Sequence, residues 1–444
     1  MKSTNKWASR MGFILATAGA AIGLGNLWKF PYLMGRNGGF PFLVTYLFFT
    51  LVLGIPVMIT EMSLGRKTGH NPVLAYDTVH PRARIAGFFG VLAAFFILSY
   101  YAVIGGWIIK YFISYTFTGR APKDFNAFIG SPIEPLVWFF LFMMMTGLIC
   151  YFGVSGIEKA SKFMMPALFI ILLAIILRGV TMPGAMEGLA FIFSPKLGDF
   201  DLHSVSAALG QVFYSLSLCM GITITYGSYL NKDADIPKGC VQVALLDTCM
   251  AVLAGIAIFP AVFACGLEPA SGPGLIFVTL PKVFEAMAGG PLFASLFFLL
   301  VFFAAVTSAV ALLEVSVSYV MGSWHWSRRK SVLLLSGAIF LLGIPSSLSF
   351  GPLAEVSVLN YNLFDFVCML TDNVFLPLGG IFMCYYIGWK WNPALLVDEI
   401  CQNGKKFPLA KPWLFLIRFV VPVMVIIVSL TGFASIYQTV FSNL

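Results

Sequence analysis

Long, uninterrupted apolar runs dominate this chain, and their length fixes what they can be. A bilayer core of about 30 Å takes roughly 20 apolar residues per helix, and such runs begin near residues 11, 41, 87, 135, 164, 204, 239, 291, 330, 358 and 411. The pattern therefore predicts about eleven membrane-spanning helices. Stretches such as Phe139–Met145 and Leu296–Phe303 are apolar at every position, without the two-residue alternation that a membrane β-barrel requires. Between the runs, Thr118–Pro135, Thr181–His203 and Leu267–Gly290 carry Pro and Gly and are long enough to fold over one membrane face as lids.

Composition agrees with residence in lipid. With 59% apolar and 10% charged residues and a mean hydropathy of +0.91, the chain has too little polar surface to cover a water-soluble globule. The cations alternate between the two sides. One set of loops receives Lys2, Lys6, Arg10, Arg66, Lys67, Arg82, Arg84, Lys159, Lys162, Lys232, Lys238, Arg328, Arg329, Lys330, Lys390, Lys405, Lys406 and Lys411, and the other only scattered cations such as Arg120, Lys123, Lys196 and Lys282. The positive-inside rule assigns the first set to the cytoplasm, so in a cell membrane the N-terminus is expected inside and the C-terminus outside. The net charge of +8 is then topological and does not call for nucleic acid. Met1–Phe30 lacks a small-residue cleavage site behind a short apolar core, so a removed signal peptide is not expected. The eight cysteines stand singly, mostly within spans, so disulfides and metal sites are not expected. No nucleophile–base pair stands at membrane depth, and an enzyme is not expected either.

Polar and glycine residues inside the spans carry the chemistry. The first span holds Gly19, Gly23, Gly25 and Asn26, and Ala21 lies about 16 Å beyond Arg10 at the helical rise, near the midplane. A break there would expose carbonyls on one side and N–H groups on the other, binding a cation and a carboxylate side by side. Alternatively Gly19 and Gly23 form a close-packing face. The sixth span carries Gln211, Ser215, Ser217 and Gly221 at similar depth, with hydroxyls that either face a ligand or bond the preceding turn. Two such helices five spans apart suggest two five-helix halves of opposite topology, about 11–180 and 204–390, with an extra helix at about 411–440, within a single domain 1–444. Asp247 lies some 13 Å beyond Lys238 in the seventh span and needs a cation or a proton. Thr307 and Ser308 offer adjacent hydroxyls suited to a hard cation. Lys29 and Asp365, toward the outer half, form either a gate or a static pair. Tyr100 and Tyr101 either pack or turn one hydroxyl into a cavity. Gly156 and Pro166 mark either a site of local unwinding at the cytoplasmic start of the fifth span or an ordinary junction.

Trp7–Arg10, the run Ala18-Gly19-Ala20-Ala21-Ile22-Gly23-Leu24-Gly25-Asn26-Leu27-Trp28-Lys29-Phe30-Pro31 and Asn37-Gly38-Gly39 resemble the first-helix signature of the neurotransmitter:sodium symporter family. The resemblance continues through Gly54-Ile55-Pro56, Glu61, Gly65-Arg66, Tyr100-Tyr101, Trp107, Gly210–Ser217, Thr225–Tyr229 and Thr307-Ser308, covering essentially the whole chain. It implies an all-α integral membrane protein with a five-plus-five inverted-repeat fold, broken helices one and six and an eleventh helix. It also implies sodium-coupled amino-acid import by alternating access, with two sodium sites. One sodium would meet the Ala21 carbonyl, Asn26, Ser215, Asp247 and the substrate carboxylate; the second would meet the carbonyls of Gly19, Ile22 and Ala304 with Thr307 and Ser308. The carboxylate would also meet the N–H groups of Leu24 and Gly25 and the Tyr101 hydroxyl, and the ammonium the carbonyls around Tyr214, Ser215 and Ser217. Ala20, Ile97, Tyr214, Ser217, Met220, Ser308 and Leu312 would line the side-chain pocket, and without a charge among them the substrate is expected to be a neutral, hydrophobic or aromatic amino acid.

Departures from the family pattern refine these expectations. Asp247 stands where chloride-dependent relatives carry Asn, so uptake without chloride is expected. The usual cytoplasmic Arg–Asp gate falls on Thr4 and Gly322, which leaves Lys2 or Lys6 as candidates. Tyr214 and Cys219 replace the commoner Phe and Gly, and the twelfth span of animal members is not expected. The rivals are a proton-coupled carrier of the same fold, with Asp247 as the shuttle, and a transporter-like sensor or channel.

Overall fold

A computed structural model describes residues 6–195, 197–266 and 274–441. Lys2, Thr4, Lys196 and part of the Leu267–Gly290 segment lie outside the described residues. The principal helices in chain order are α1 (Arg10–Ala21), α2 (Gly25–Arg36), α3 (Phe40–Thr68), α4 (Pro81–Thr118), α5 (Glu134–Tyr151), α6 (Gly153–Val180), α7 (Leu202–Ser215), α8 (Ile222–Ser228), α9 (Ile236–Ala264), α10 (Gly290–Ser323), α11 (Arg328–Leu348), α12 (Leu363–Lys390) and α13 (Ala410–Phe441). Among the described residues, nine helices are long and apolar enough to cross a membrane, or ten with α1 and α2 as one bent span. The α7–α8 pair, of 14 and 7 residues, falls short of that length on either side of its break.

Proline shapes these long helices. Among the described residues, five of the six π-helical turns, Gly25–Lys29, Thr50–Gly54, Leu275–Thr279, Thr371–Phe375 and Leu416–Val420, end two residues before a proline, at Pro31, Pro56, Pro281, Pro377 and Pro422. A proline lacks the N–H that would bond four residues back and its ring crowds that carbonyl, so the preceding turn widens by one residue. The helix therefore continues where a sequence reading alone would end it.

The hydrophobic periodicity places the start of the fifth span near residue 164, whereas α6 begins at Gly153. The added turns carry Glu158 and Ser161, both buried, because this end of α6 packs on α1 rather than standing in water. Helix α10 is central, with 89% of its most apolar window buried, and α13 peripheral, with 22%. Short α8 is held by backbone contact with α3. A Cβ on Gly227 would stand 2.6 Å from the Met62 carbonyl, and one on Gly65 would strike the Ile224 carbonyl, so neither position admits a side chain. Helix Phe125–Gly130 lies in the first expected lid and Ala185–Phe193 in the second.

Candidate functional site

Both interruptions fall where the glycines and small polar residues lie. Helix α1 ends at Ala21, Ile22 is extended (φ −74°, ψ 97°), and the chain resumes at Gly25 bent by 52°. The Gly23 N–H, freed from the helix, donates to Asn26 Oδ1 at 3.2 Å. Between α7 and α8 the chain turns through Ser217, Cys219 and Gly221, with φ of 52°, 61° and 73°. Left-handed backbone costs a side-chain-bearing residue roughly 1 kcal/mol or more, and contacts from outside the turn hold it. Ser217 Oγ donates to the Ala20 carbonyl at 3.1 Å, and the Cys219 N–H donates to Glu61 at 3.3 Å.

Between the breaks lies a buried cavity lined by Ala20, Ala21, Leu24, Gly25, Ile97, Tyr101, Tyr214, Ser215, Ser217, Met220, Ser308 and Leu312, joined by Gly23 and Ile222. The structure thus brings every residue expected at the substrate site around one space. Only about 30 Å³ of it admits a water-sized sphere, so the space is tight. The Leu24 N–H points at the Tyr101 hydroxyl, 3.4 Å away. Gly25 has to lack a side chain, because a Cβ there would stand 2.9 Å from the Tyr214 ring.

Two clusters of oxygen atoms flank this space. In the first, Asp247 is fully buried and accepts from Asn26 Nδ2 at 2.8 Å, from Ser215 Oγ at 2.8 Å and from the Tyr46 hydroxyl at 3.0 Å. Sequence reasoning missed Tyr46, an aromatic residue in an aromatic-rich span that nothing local sets apart. In the second cluster, Ser308 Oγ lies 3.3 Å from the Gly19 carbonyl, 3.2 Å from that of Ala20 and 3.4 Å from that of Ile22. Thr307 Oγ1 lies 3.1 Å from the Ala304 carbonyl. Met165 crosses from α6 to this cluster, its sulfur 3.2 Å from where a Cβ on Gly19 would stand.

Above the cavity, the expected pairing of Lys29 with Asp365 is corrected. Lys29 Nζ lies 3.7 Å from Asp372 and 4.4 Å over the Tyr214 ring. Asp365 is exposed and exchanges hydrogen bonds with Asn362, which caps α12. The two aspartates are seven residues apart on one helix face, so periodicity could not separate them; depth did.

The basic end of the bundle is closed by aromatic residues and one buried carboxylate. Trp7 is buried against Tyr226, its ring N–H donates to the Tyr226 carbonyl at 3.1 Å and its backbone N–H to the Tyr229 carbonyl at 3.2 Å, and the Tyr229 hydroxyl donates to Glu314 at 2.7 Å. Arg328 grips Glu314 with both terminal nitrogens at 2.8 and 2.7 Å. Lys6, a candidate for the missing gate cation, reaches the Leu230 carbonyl at 3.1 Å and no carboxylate among the described residues. Gly156 and Pro166 both lie inside continuous helix in α6, so the unwinding considered for this segment is not present in this conformation.

Comparison with known proteins follows the same lines. Residues 4–128 and 127–443 match the model of the sodium:neurotransmitter symporter family. A sodium-dependent transporter of Bacillus subtilis, itself uncharacterized, is 40% identical over 438 residues, covering 96% of this chain and 97% of that protein. The human sodium- and chloride-dependent GABA transporter 2 is 27% identical, covering 92% of this chain and 77% of its own. Among solved structures, the crystal structure of MhsT in complex with L-phenylalanine superposes with a TM-score of 0.89 at 45% identity, over 97% of this chain and 100% of that one.

Proposed function

The chain belongs to the sodium:neurotransmitter symporter family, whose members are transporters and not enzymes, and from that premise we propose that it imports a neutral hydrophobic or aromatic amino acid together with sodium and without chloride. The cavity between the two helix breaks carries this reading. Its walls are apolar side chains, hydroxyls and backbone groups, so a charged substrate side chain would be left uncompensated. The complex of the MhsT neighbour with L-phenylalanine supports the aromatic class. Such a side chain enters by displacing Met220, whose unbranched thioether adapts readily. The exposed N–H groups of Leu24 and Gly25 and the Tyr101 hydroxyl suit the carboxylate, and the carbonyls near Ser215 and Ser217 the ammonium.

Two sodium ions travel with it in this reading. One takes the place now spanned by hydrogen bonds among Asn26, Ser215 and Asp247, with the Ala21 carbonyl and the substrate carboxylate. The other takes the carbonyls of Gly19, Ile22 and Ala304 with the hydroxyls of Thr307 and Ser308. Hard cations favour such all-oxygen sets. The chloride required by the human relative's name has its counterpart here in the fixed charge of Asp247. Lys29 with Asp372 closes the outer route. On the inner side, unwinding of the Gly156–Pro166 stretch would withdraw Met165 and open the second sodium site toward the basic end. That end is the cytoplasmic one in a cell-membrane topology with the N-terminus inside, and the two repeats run about 11–180 and 204–390, with 411–440 appended.

Proteoliposome uptake of labelled phenylalanine tests the reading directly. Concentrative uptake is expected with sodium chloride or sodium gluconate outside and none with choline, whatever the pH gradient. Uptake driven by a proton gradient in choline would establish the proton-coupled rival. Thermal stabilisation only by basic or acidic amino acids, in a screen of all twenty with and without sodium, would overturn the pocket assignment.

A further inference from the structure

Glu158 stands in α6 between Gly156 and Pro166 and is 3% exposed. Its carboxylate reaches across to the chain entering α1. One oxygen accepts the Ala8 N–H at 2.7 Å, the other the Ser9 hydroxyl at 2.8 Å, and Lys162, one turn on in the same helix, balances the charge at 2.6 Å. Ser9 in turn caps α1 by accepting the Gly12 N–H at 3.0 Å. A Cβ on Gly12 would collide with the carboxyl group, so α1 and α6 approach as closely as that group permits. Trp7, which closes the basic end, immediately precedes Ala8.

We propose that Glu158 is a positioning residue that transmits the helical state of residues 156–166 to closure of the basic end. While α6 is intact, the carboxylate holds Ala8 and Ser9 and thereby seats Trp7 against Tyr226. When the segment unwinds, the carboxylate is withdrawn and the N-terminal stretch is released. Lys162, the helical i,i+4 partner of Glu158, lies in the same stretch, so unwinding releases both charges together. This coupling rests on the alternating-access reading above. It adds a mechanical link between two elements that the reading leaves separate.

Hydrogen exchange of the full-length protein, read by mass spectrometry with sodium plus phenylalanine and again with choline alone, tests it. In the native protein the protection of residues 6–15 and 156–166 is expected to fall together when sodium is withdrawn. In Glu158→Ala, residues 6–15 exchange about tenfold faster even with sodium and phenylalanine, the worth of one hydrogen bond to a charged group, while 156–166 keeps its sodium response. Glu158→Gln, which retains a carbonyl oxygen for the Ala8 N–H, returns exchange to within a few-fold of native. Ser9→Ala, which removes both the bond to Glu158 and the cap on the Gly12 N–H and leaves α6 untouched, gives a rise in residues 6–15 only. Unchanged exchange of residues 6–15 in both alanine variants overturns the proposal, as does a uniform rise throughout α6 with a lowered Tm. A native protein whose exchange ignores sodium would sink the transport reading instead, so the two failures are distinguishable.

Discussion

Asp247→Asn is the most informative single change. The replacement is nearly isosteric, and the fold has room for it. With the new amide nitrogen at the Oδ2 position, the Tyr46 and Ser215 hydroxyls, 3.0 and 2.8 Å away, can rotate to accept. The retained carbonyl oxygen still receives Asn26 Nδ2, now 2.8 Å from Oδ1. What disappears is one negative charge in a site with no measurable solvent exposure. Removing one member of a buried ion pair costs about 3–5 kcal/mol, which at about 1.4 kcal/mol per decade is roughly two to three and a half decades of sodium affinity. The assay is the sodium dependence of phenylalanine uptake in proteoliposomes, with chloride or gluconate as the anion. The native protein is expected to give the same half-saturating sodium in both. The variant should need at least about a hundredfold more sodium in gluconate, and chloride should recover part of the loss by supplying the missing charge. Equal sodium dependence of variant and native protein in gluconate would refute the placement of Asp247 at a sodium ion, and loss of native uptake in gluconate would refute the chloride argument.

Three further outcomes follow from the geometry. Gly25→Ala places a methyl 2.9 Å from the Tyr214 ring, so phenylalanine-induced thermal stabilisation should vanish and the sodium-free protein should lose the roughly 1–3 kcal/mol that overpacking costs. Lys29 and Asp372 are 37% and 33% exposed at 3.7 Å, a pairing worth less than about 1 kcal/mol after solvent screening; Asp372→Asn should therefore slow uptake without lowering Tm, and Asp365→Asn should do neither. Arg66 and Glu399 are 1% and 2% exposed at 2.8 Å, so Arg66→Met should destabilise by about 3 kcal/mol even with Lys232 3.1 Å from the same carboxylate. Lys67→Met is the control, since Lys67 forms no ion pair among the described residues, and an equal loss of Tm there would contradict the assignment.

The sequence by itself determined the class of the molecule and the position of both helix breaks, while the residues around the cavity followed from the resemblance to the family. These features are legible because they violate a local rule inside a uniform background. Glycines interrupt a helix-forming run at Gly19 to Gly25, hydroxyls stand at membrane depth at Ser215 and Ser308, and Asp247 is a charge in an otherwise apolar span. Chain order sufficed for them. Tertiary structure decided which groups meet from different helices. A spacing of seven puts Asp365 and Asp372 on the same helix face, and only the packing of the helices selected Asp372 for Lys29. Tyr46 became a partner of Asp247 because α3 passes beside the first oxygen cluster, and Glu158 reached Ala8 and Ser9 because α6 begins eleven residues before its apolar run. Spacing along one chain encodes direction and face; the distance between two faces depends on how every other helix packs.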